Sequence, residues 1–191
     1  MFKQPWLIVT LQTGRPATGP LAHREGNLAG IGLIDRIRRN HGLEHGTIAI
    51  LLRQGVSPPL AGYGTSGGFF IYGDITTEQL ASAVDEARRR MSGGERDLAV
   101  SKFCGTNMAV GMLLAVSVAG LVARSRQGKR SRVPITALGV IGSLWARRPL
   151  GNALQRHFTT LPDPERLEVT GIKRIQLGRR TVHRVTTRAI D

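Results

Sequence analysis

The spacing of apolar residues predicts a long helix in the first third of the chain. After Leu28, apolar side chains recur at the three- and four-residue spacing of one helix face. They are Ile31, Ile34, Ile37, Leu43, Ile48 and Leu51. Gly55 and the pair Pro58-Pro59 end the pattern, because proline cannot continue a helix. We therefore expect one helix over residues 28–53.

A Gly-rich aromatic segment and a second amphipathic helix follow. Residues 61–75 contain a run of bulky apolar side chains between glycines, which is typical of one or two short strands. Thr76 or Thr77 can cap the next helix, which we expect to end near Met91. Its buried stripe should consist of Leu80, Ala83, Val84 and Ala87. Residues 97–101 are then expected to form a short strand.

Two uncharged runs predict an apolar helical hairpin. The first, residues 107–123, is about 25 Å long as a helix and just reaches across a hydrocarbon core of about 30 Å. The second run, residues 133–146, is shorter and is expected to end at Arg147 and Arg148. Two buried helices of a soluble protein are the alternative, but a soluble helix normally has a polar face and the first run has almost none. A membrane hairpin is therefore favoured, with Trp145 at the interface.

The end of the chain predicts a β-hairpin. Residues 167–177 and 181–189 alternate in polarity and are joined by Gly178-Arg179-Arg180, so we expect a solvent-facing hairpin. The fold class is α+β, with a long helix, a small strand-helix-strand unit, the apolar hairpin and this β-hairpin. The expected divisions are a flexible arm (1–27), an α+β domain (28–106), the apolar hairpin (107–147) and a basic C-terminal segment (148–191).

Charge favours an anionic partner. The chain has 27 Lys and Arg against 13 Asp and Glu, a formal charge of +14. No acidic residue lies between Asp97 and Asp163, where many of the basic residues occur. An anionic membrane surface fits this stretch better than nucleic acid, because aromatic residues are few and are not interleaved with the basic ones. We expect a location at the cell membrane, with a membrane protein complex as a further partner to consider.

The densest set of chemical groups is the H-x-x-E-H order inside the first helix. His41 and His45 lie one turn apart, and Glu44 lies beside them. Two such imidazoles can share a divalent metal ion, while the carboxylate can ligate it or take a proton from water. The alternative is that these side chains only decorate a polar helix face. Gly42 inside the motif and Gly46 directly after it reduce helix stability, which indicates that a neighbour passes close.

Cys104 is the single cysteine, so an internal disulfide is impossible. Alone it would be interpreted as a small buried apolar residue. However, it precedes the first apolar helix, where free backbone N–H groups favour a thiolate. Two imidazoles and a thiolate leave a fourth position for water, as in catalytic zinc sites. The predicted ligands of zinc or a similar divalent ion are therefore His41, His45 and Cys104, with Glu44 as the catalytic base.

Three segments carry a resemblance to a known family. Residues 40–48 (NHGLEHGTI), 68–75 (GFFIYGDI) and 104–107 (CGTN) together resemble an uncharacterised bacterial membrane protein family, a domain of unknown function. That family pairs an H-x-L-E-H-x-T helix with a C-G-T-N segment that enters an apolar helix. A family of predicted metal-dependent bacterial membrane enzymes, with H-G-A-E-H-K and R-C-G-T motifs, is more distantly similar. The resemblance covers roughly residues 30–160.

The resemblance implies a metal site built from His41, His45 and Cys104 with Glu44 close by, and it implies no known reaction. This chain departs from the pattern at residues 101–103, which read Ser-Lys-Phe where relatives often have His-Pro and a further residue. A histidine that could ligate the metal or support a ligand is therefore absent. The reversed zincins, which share the H-x-x-E-H order, need an acidic ligand far downstream that the acid-free stretch lacks.

Three functional hypotheses follow. The first is a metal-dependent hydrolase of peptide or amide bonds. The second is a non-enzymatic membrane or complex-assembly protein with a structural metal ion. The third is a basic nucleic-acid-associated protein without metal. Residues 64–73 lack a phosphate-loop pattern, and Ser66 lacks the G-x-S-x-G elbow. The isolated histidines are expected at the surface: His23, His157 and His183.

Overall fold

The computed structural model describes residues 32–125, 128–178 and 180–190. The arm predicted over residues 1–27 lies outside this part of the chain, as does the start of the helix predicted from residue 28. Within the described residues, helices pack on a four-stranded antiparallel sheet. The predicted α+β class is confirmed.

The two amphipathic helices lie close to their predicted positions. Helix α1 is Leu33–Arg53 and helix α2 is Thr77–Ser92. A capping box begins α2: the Thr76 hydroxyl accepts a hydrogen bond from the Gln79 N–H, and the Gln79 side chain accepts one from the Thr76 N–H. All four residues of the predicted stripe of α2 are buried in the main apolar core, together with residues of α1 and the sheet.

The C-terminal hairpin completes the sheet. The strands are β1 (Ala61–Thr65), β2 (Gly68–Tyr72), β3 (Leu167–Leu177) and β4 (Arg180–Ala189), in the order β1-β2-β4-β3. The prediction of strands β3 and β4 is confirmed, but the expectation of a solvent-facing hairpin is wrong, because β4 pairs with β2. The alternating polarity of β3 and β4 showed that one face of this hairpin is buried, but it did not show which elements cover that face. Leu167, Ile172 and Val185 on that face belong to the core.

The strand predicted over residues 97–101 is wrong. A short 3-10 helix, Arg96–Ala99, occupies this place. Leu98 and Ala99 are both buried against the core, whereas the two faces of a strand would have separated them. The Leu98 N–H bonds the carbonyl of Glu95, which gives the tight i to i+3 turn.

The apolar hairpin consists of α3 (Gly105–Arg124) and α4 (Lys129–Leu154). Helix α4 continues past Arg147, where the sequence predicted its end, and a single π-helical turn follows at Gln155–Thr159. The extension brings the chain back to the start of α3, where Gly151 packs against Asn107. In the described part of the chain, α3 is the one helix long and apolar enough to cross a membrane.

Candidate metal centre

The middle of α1 is enclosed by close neighbours at its two glycines. A Cβ at Gly42 would lie 2.7 Å from the carbonyl oxygen of Leu161, and one at Gly46 would lie 2.9 Å from the sulfur of Met91. Both positions therefore require glycine unless the neighbours shift. The close approach predicted from these residues is confirmed, and it explains why two residues with poor helix propensity stand in this helix.

The three predicted ligands meet beside this part of α1. One ligand atom from each of His41, His45 and Cys104 lies within 4.8 Å of the other two. The Sγ of Cys104 is 3.5 Å from Nε2 of His41. His45 and Cys104 are buried, and His41 is partly exposed. We call these three residues the His-His-Cys cluster.

Backbone carbonyls orient both imidazole rings. Nδ1 of His41 is 3.0 Å from the Thr159 carbonyl oxygen, and Nδ1 of His45 is 2.8 Å from that of Ala99. A carbonyl can only accept, so each Nδ1 carries the proton and donates it. In the neutral rings the free lone pairs are therefore on the two Nε2 atoms, on the side of Cys104. Metal-binding histidines are commonly held by this kind of contact.

Cys104 is the N-cap residue of α3. Its sulfur accepts a hydrogen bond from the Thr106 N–H at 3.4 Å. Burial by itself raises the pKa of the Cys104 thiol, but the hydrogen bond and charge of His45 in its protonated form, with the contacts of Thr106, outweigh it and leave the pKa below its usual value. These surroundings favour the thiolate, which is the form that binds metal ions.

Glu44 lies beside the cluster and is enclosed. Its Oε2 is 4.0 Å from Nε2 of His41 and 4.0 Å from Nε2 of His45. Burial raises the pKa of Glu44 to about 7, although the charge of His41 acts in the opposite direction. Strand β1 covers the carboxylate so closely that a Cβ at Gly62 would overlap it.

A buried amide network holds the segment before Cys104. The side chain of Gln155 is fully buried; its Oε1 accepts from the Ser101 N–H at 2.9 Å, and its Nε2 donates to Asn107 Oδ1 at 3.0 Å. The amide of Asn107 donates in turn to the carbonyls of Ser101 and Lys102, both at 3.1 Å. The sequence analysis missed Gln155, because no spacing links it to the motif. The C-G-T-N string was the one signal for Asn107.

A second buried amide anchors α1 to the sheet. The side chain of Asn40 donates to the Thr65 carbonyl of β1 and accepts from the Thr187 hydroxyl of β4, both at 2.8 Å. Among the isolated histidines, His157 is exposed as predicted. His183 is fully buried, so its predicted surface position is wrong. It lies on β4, which is an inner strand of the sheet.

Residues 36–172 match a family described as a domain of unknown function, DUF6391. The chain belongs to the DUF6391 family. The match extends from α1 into β3 and includes all four predicted site residues. The chain is also 35% identical over 138 residues to an uncharacterized protein of Picosynechococcus sp. (strain ATCC 27264 / PCC 7002 / PR-6), and the match covers 65% of each protein. No solved structure matches. The predicted resemblance to a domain of unknown function is thus confirmed, while its membrane and metal features stay predictions.

Proposed function

We propose that this DUF6391 protein is a membrane-associated metal-binding protein whose ion is held by the His-His-Cys cluster. The observation that carries the proposal is the pair of carbonyl contacts, which leaves two imidazole lone pairs beside one cysteine sulfur. Two imidazole nitrogens and a thiolate suit zinc or a similar divalent ion. The three atoms lie close enough to bind a single ion with little movement.

The proposed activity of this site is metal-dependent hydrolysis of peptide or amide bonds. A bound ion would polarise a substrate carbonyl and lower the pKa of water. Three protein ligands leave one coordination position free. The Glu44 carboxylate lies 4.0 Å from Nε2 of both histidines, close enough to accept a proton from water that such an ion would hold. Glu44 is therefore the proposed general base.

A structural ion is the second candidate, and one observation favours it. Glu44 is enclosed under Gly62 and lies equally close to both histidines, so its carboxylate could act as a fourth ligand. Closed four-ligand sites are typical of structural zinc. The ion would then join α1 to the start of α3 in a membrane or complex-assembly protein.

The membrane part of the proposal is supported by the α3-α4 hairpin. Large apolar side chains are exposed along both helices, among them Met112, Leu113, Val116, Leu138 and Trp145. Water is a poor solvent for such a surface, whereas acyl chains are a good one. We therefore propose a location at the cell membrane and contact with anionic lipid, and a membrane protein complex remains a further proposed partner.

Metal analysis of the purified full-length protein tests the ion itself. We expect about one equivalent of a divalent metal in the wild type and a strong loss in both Cys104→Ser and His41→Ala. His157→Ala is the matched control for His41→Ala, because His157 is an exposed histidine of the same chain. Less than about a tenth of an equivalent in the wild type would refute both metal functions and favour the nucleic-acid hypothesis.

Glu44→Gln separates the two metal functions. If Glu44 is the base, hydrolysis of fluorogenic peptide and acyl-amide substrates should fall while metal content and Tm hold. If Glu44 is a fourth ligand, the metal content itself should fall. A wild-type protein that holds its metal and hydrolyses none of these substrates would favour the structural function.

A further inference from the structure

Two exposed phenylalanines are the chain neighbours of residues that contact the His-His-Cys cluster. Its least buried member is His41, whose side chain is 21% exposed. The ring of His41 contacts the Thr159 carbonyl on one side and the Cys104 sulfur on the other. The neighbour of each contact residue is an exposed aromatic: Phe158 is 68% exposed and Phe103 is 81% exposed. Two separate segments that contact the His41 ring thus each carry a large exposed apolar side chain.

A pair of arginines lies a short distance along the hairpin. Arg147 of α4 packs against Gly111 of α3, where an added Cβ would come 3.1 Å from the Arg147 Cβ. Gly111 lies seven residues after Cys104, which is about 10 Å along a helix. Arg148 is exposed at the same level. The arginine pair thus separates the cluster from the apolar length of the hairpin.

Between the arginine pair and Arg124 the exposed surface of the hairpin is mainly apolar. Thirteen residues, about 20 Å of helix, separate Gly111 from Arg124, which is exposed at the end of α3. The exposed side chains between these levels include Val116, Leu121, Val133 and Leu138. No acidic residue occurs between Asp97 and Asp163. An apolar band with basic side chains at both ends complements acyl chains bordered by anionic head groups.

We propose that the hairpin inserts into an anionic bilayer up to the arginine pair, so that the His-His-Cys cluster lies at head-group depth and takes its ligand from the membrane. The ligand class is an acyl-chain amphiphile with a carbonyl or similar metal-binding group. Its chain stays among the lipids along the hairpin, while its polar group passes Phe103 and Phe158 to reach His41. The head-group layer is about 5–8 Å thick per leaflet, so the roughly 10 Å of helix between the arginine pair and Cys104 would bring the cluster to the outer edge of this layer. The ligand class rests on the proposed metal function, and the insertion depth rests on the proposed membrane location.

Tryptophan quenching measures the depth. The chain has two tryptophans, so Trp6→Phe with Trp145→Phe gives a silent background for Phe103→Trp and Phe158→Trp. Leu177→Trp is the control, because Leu177 is 59% exposed at the far end of β3. Full-length protein is reconstituted in phosphatidylcholine and phosphatidylglycerol vesicles that carry shallow bromine labels. We expect quenching of both phenylalanine replacements at least about twofold above the control.

Two results would refute the proposed insertion depth of the cluster. The first is equal quenching of Phe103→Trp, Phe158→Trp and Leu177→Trp, which would place the cluster outside the membrane. The second is an unquenched native Trp145 in the Trp6→Phe protein together with a concentration-dependent dimer, which would assign the apolar band to a second copy of the chain.

Cobalt-loaded protein tests the ligand class. Dodecanoyl hydroxamate and acetohydroxamate carry the same metal-binding group on a long and a short chain. In the same vesicles we expect the long-chain probe to change the cobalt absorption at a concentration at least about tenfold lower than acetohydroxamate does. The ratio of these two concentrations is the quantity compared between variants. The double variant Phe103→Ala with Phe158→Ala should reduce this ratio, and Leu177→Ala should not. Equal ratios in all three proteins would refute the ligand class. Failure to bind cobalt would refute the metal function, and the quenching result would still decide the depth.

Discussion

Gln155→Leu tests whether the buried amide network fixes the position of the segment that carries Cys104. Leucine has nearly the same volume but no polar atoms, so the change leaves the Ser101 N–H and Asn107 Oδ1 without their partner. Each buried polar group left unpaired costs about 1–3 kcal/mol, so two of them should lower the free energy of unfolding by about 2–6 kcal/mol. Loss of a group that orients a metal ligand also weakens metal binding, by about 10–100-fold.

Denaturant unfolding of the metal-free protein in detergent measures the stability change, and competition with a chromophoric chelator measures the metal affinity. Gln176→Leu is the matched control, because the Gln176 side chain is exposed and its partners among the described residues are the nearby Gly178 carbonyl and the Thr181 hydroxyl. We expect the control to stay within about 0.5 kcal/mol of the wild type. If Gln155→Leu matches the control in both measurements, the network does not support Cys104 and the reasoning is refuted.

Two further predictions concern Gly62 and His183. Gly62→Ala should lower the Tm and the metal affinity together, because its Cβ would overlap the Glu44 carboxylate; overpacking of this kind costs about 1–3 kcal/mol, and an unchanged Tm would contradict the packing. Burial lowers the pKa of His183. Below about pH 6.5 the unfolded chain therefore binds a proton more readily than the folded chain does, and the free energy of unfolding decreases as the pH is lowered. Between pH 7 and pH 5, unfolding curves should show a shallower loss of stability in His183→Gln than in the wild type or in His157→Gln; equal slopes would show that His183 does not contribute.

The sequence predicted those parts of the fold that depend on local pattern. Apolar spacing located α1 and α2, and alternation located β3 and β4. The order H-x-x-E-H predicted that His41 and His45 share a helix face. The place of Cys104 before an apolar helix, together with the family resemblance, linked it to them, and the three ligand atoms do lie within 4.8 Å of one another. For the helices, the strands and the histidine pair, the information lies within about one or two turns of helix or one strand, where period and capping are decisive.

The parts that the sequence did not predict depend on contacts between distant segments. Nothing near Gln155 shows that its amide will meet Ser101, which lies 54 positions earlier in the chain. The pairing of β4 with β2 likewise joins segments that are far apart in sequence. It also buries His183, which lies between Val182 and Arg184 in the sequence. Local pattern identifies a buried face, but not the element that covers it.

The π-helical turn after α4 has a consequence for how the protein is made. The side chain of Gln155 holds the segment before Cys104, and the carbonyl of Thr159, in the same turn, holds the ring of His41. Both contacts come from residues synthesised after the whole α3-α4 hairpin. A nascent chain that ends before this turn contains both histidines and the cysteine but lacks groups that orient them. Assembly of the cluster during biosynthesis therefore follows translation of the hairpin.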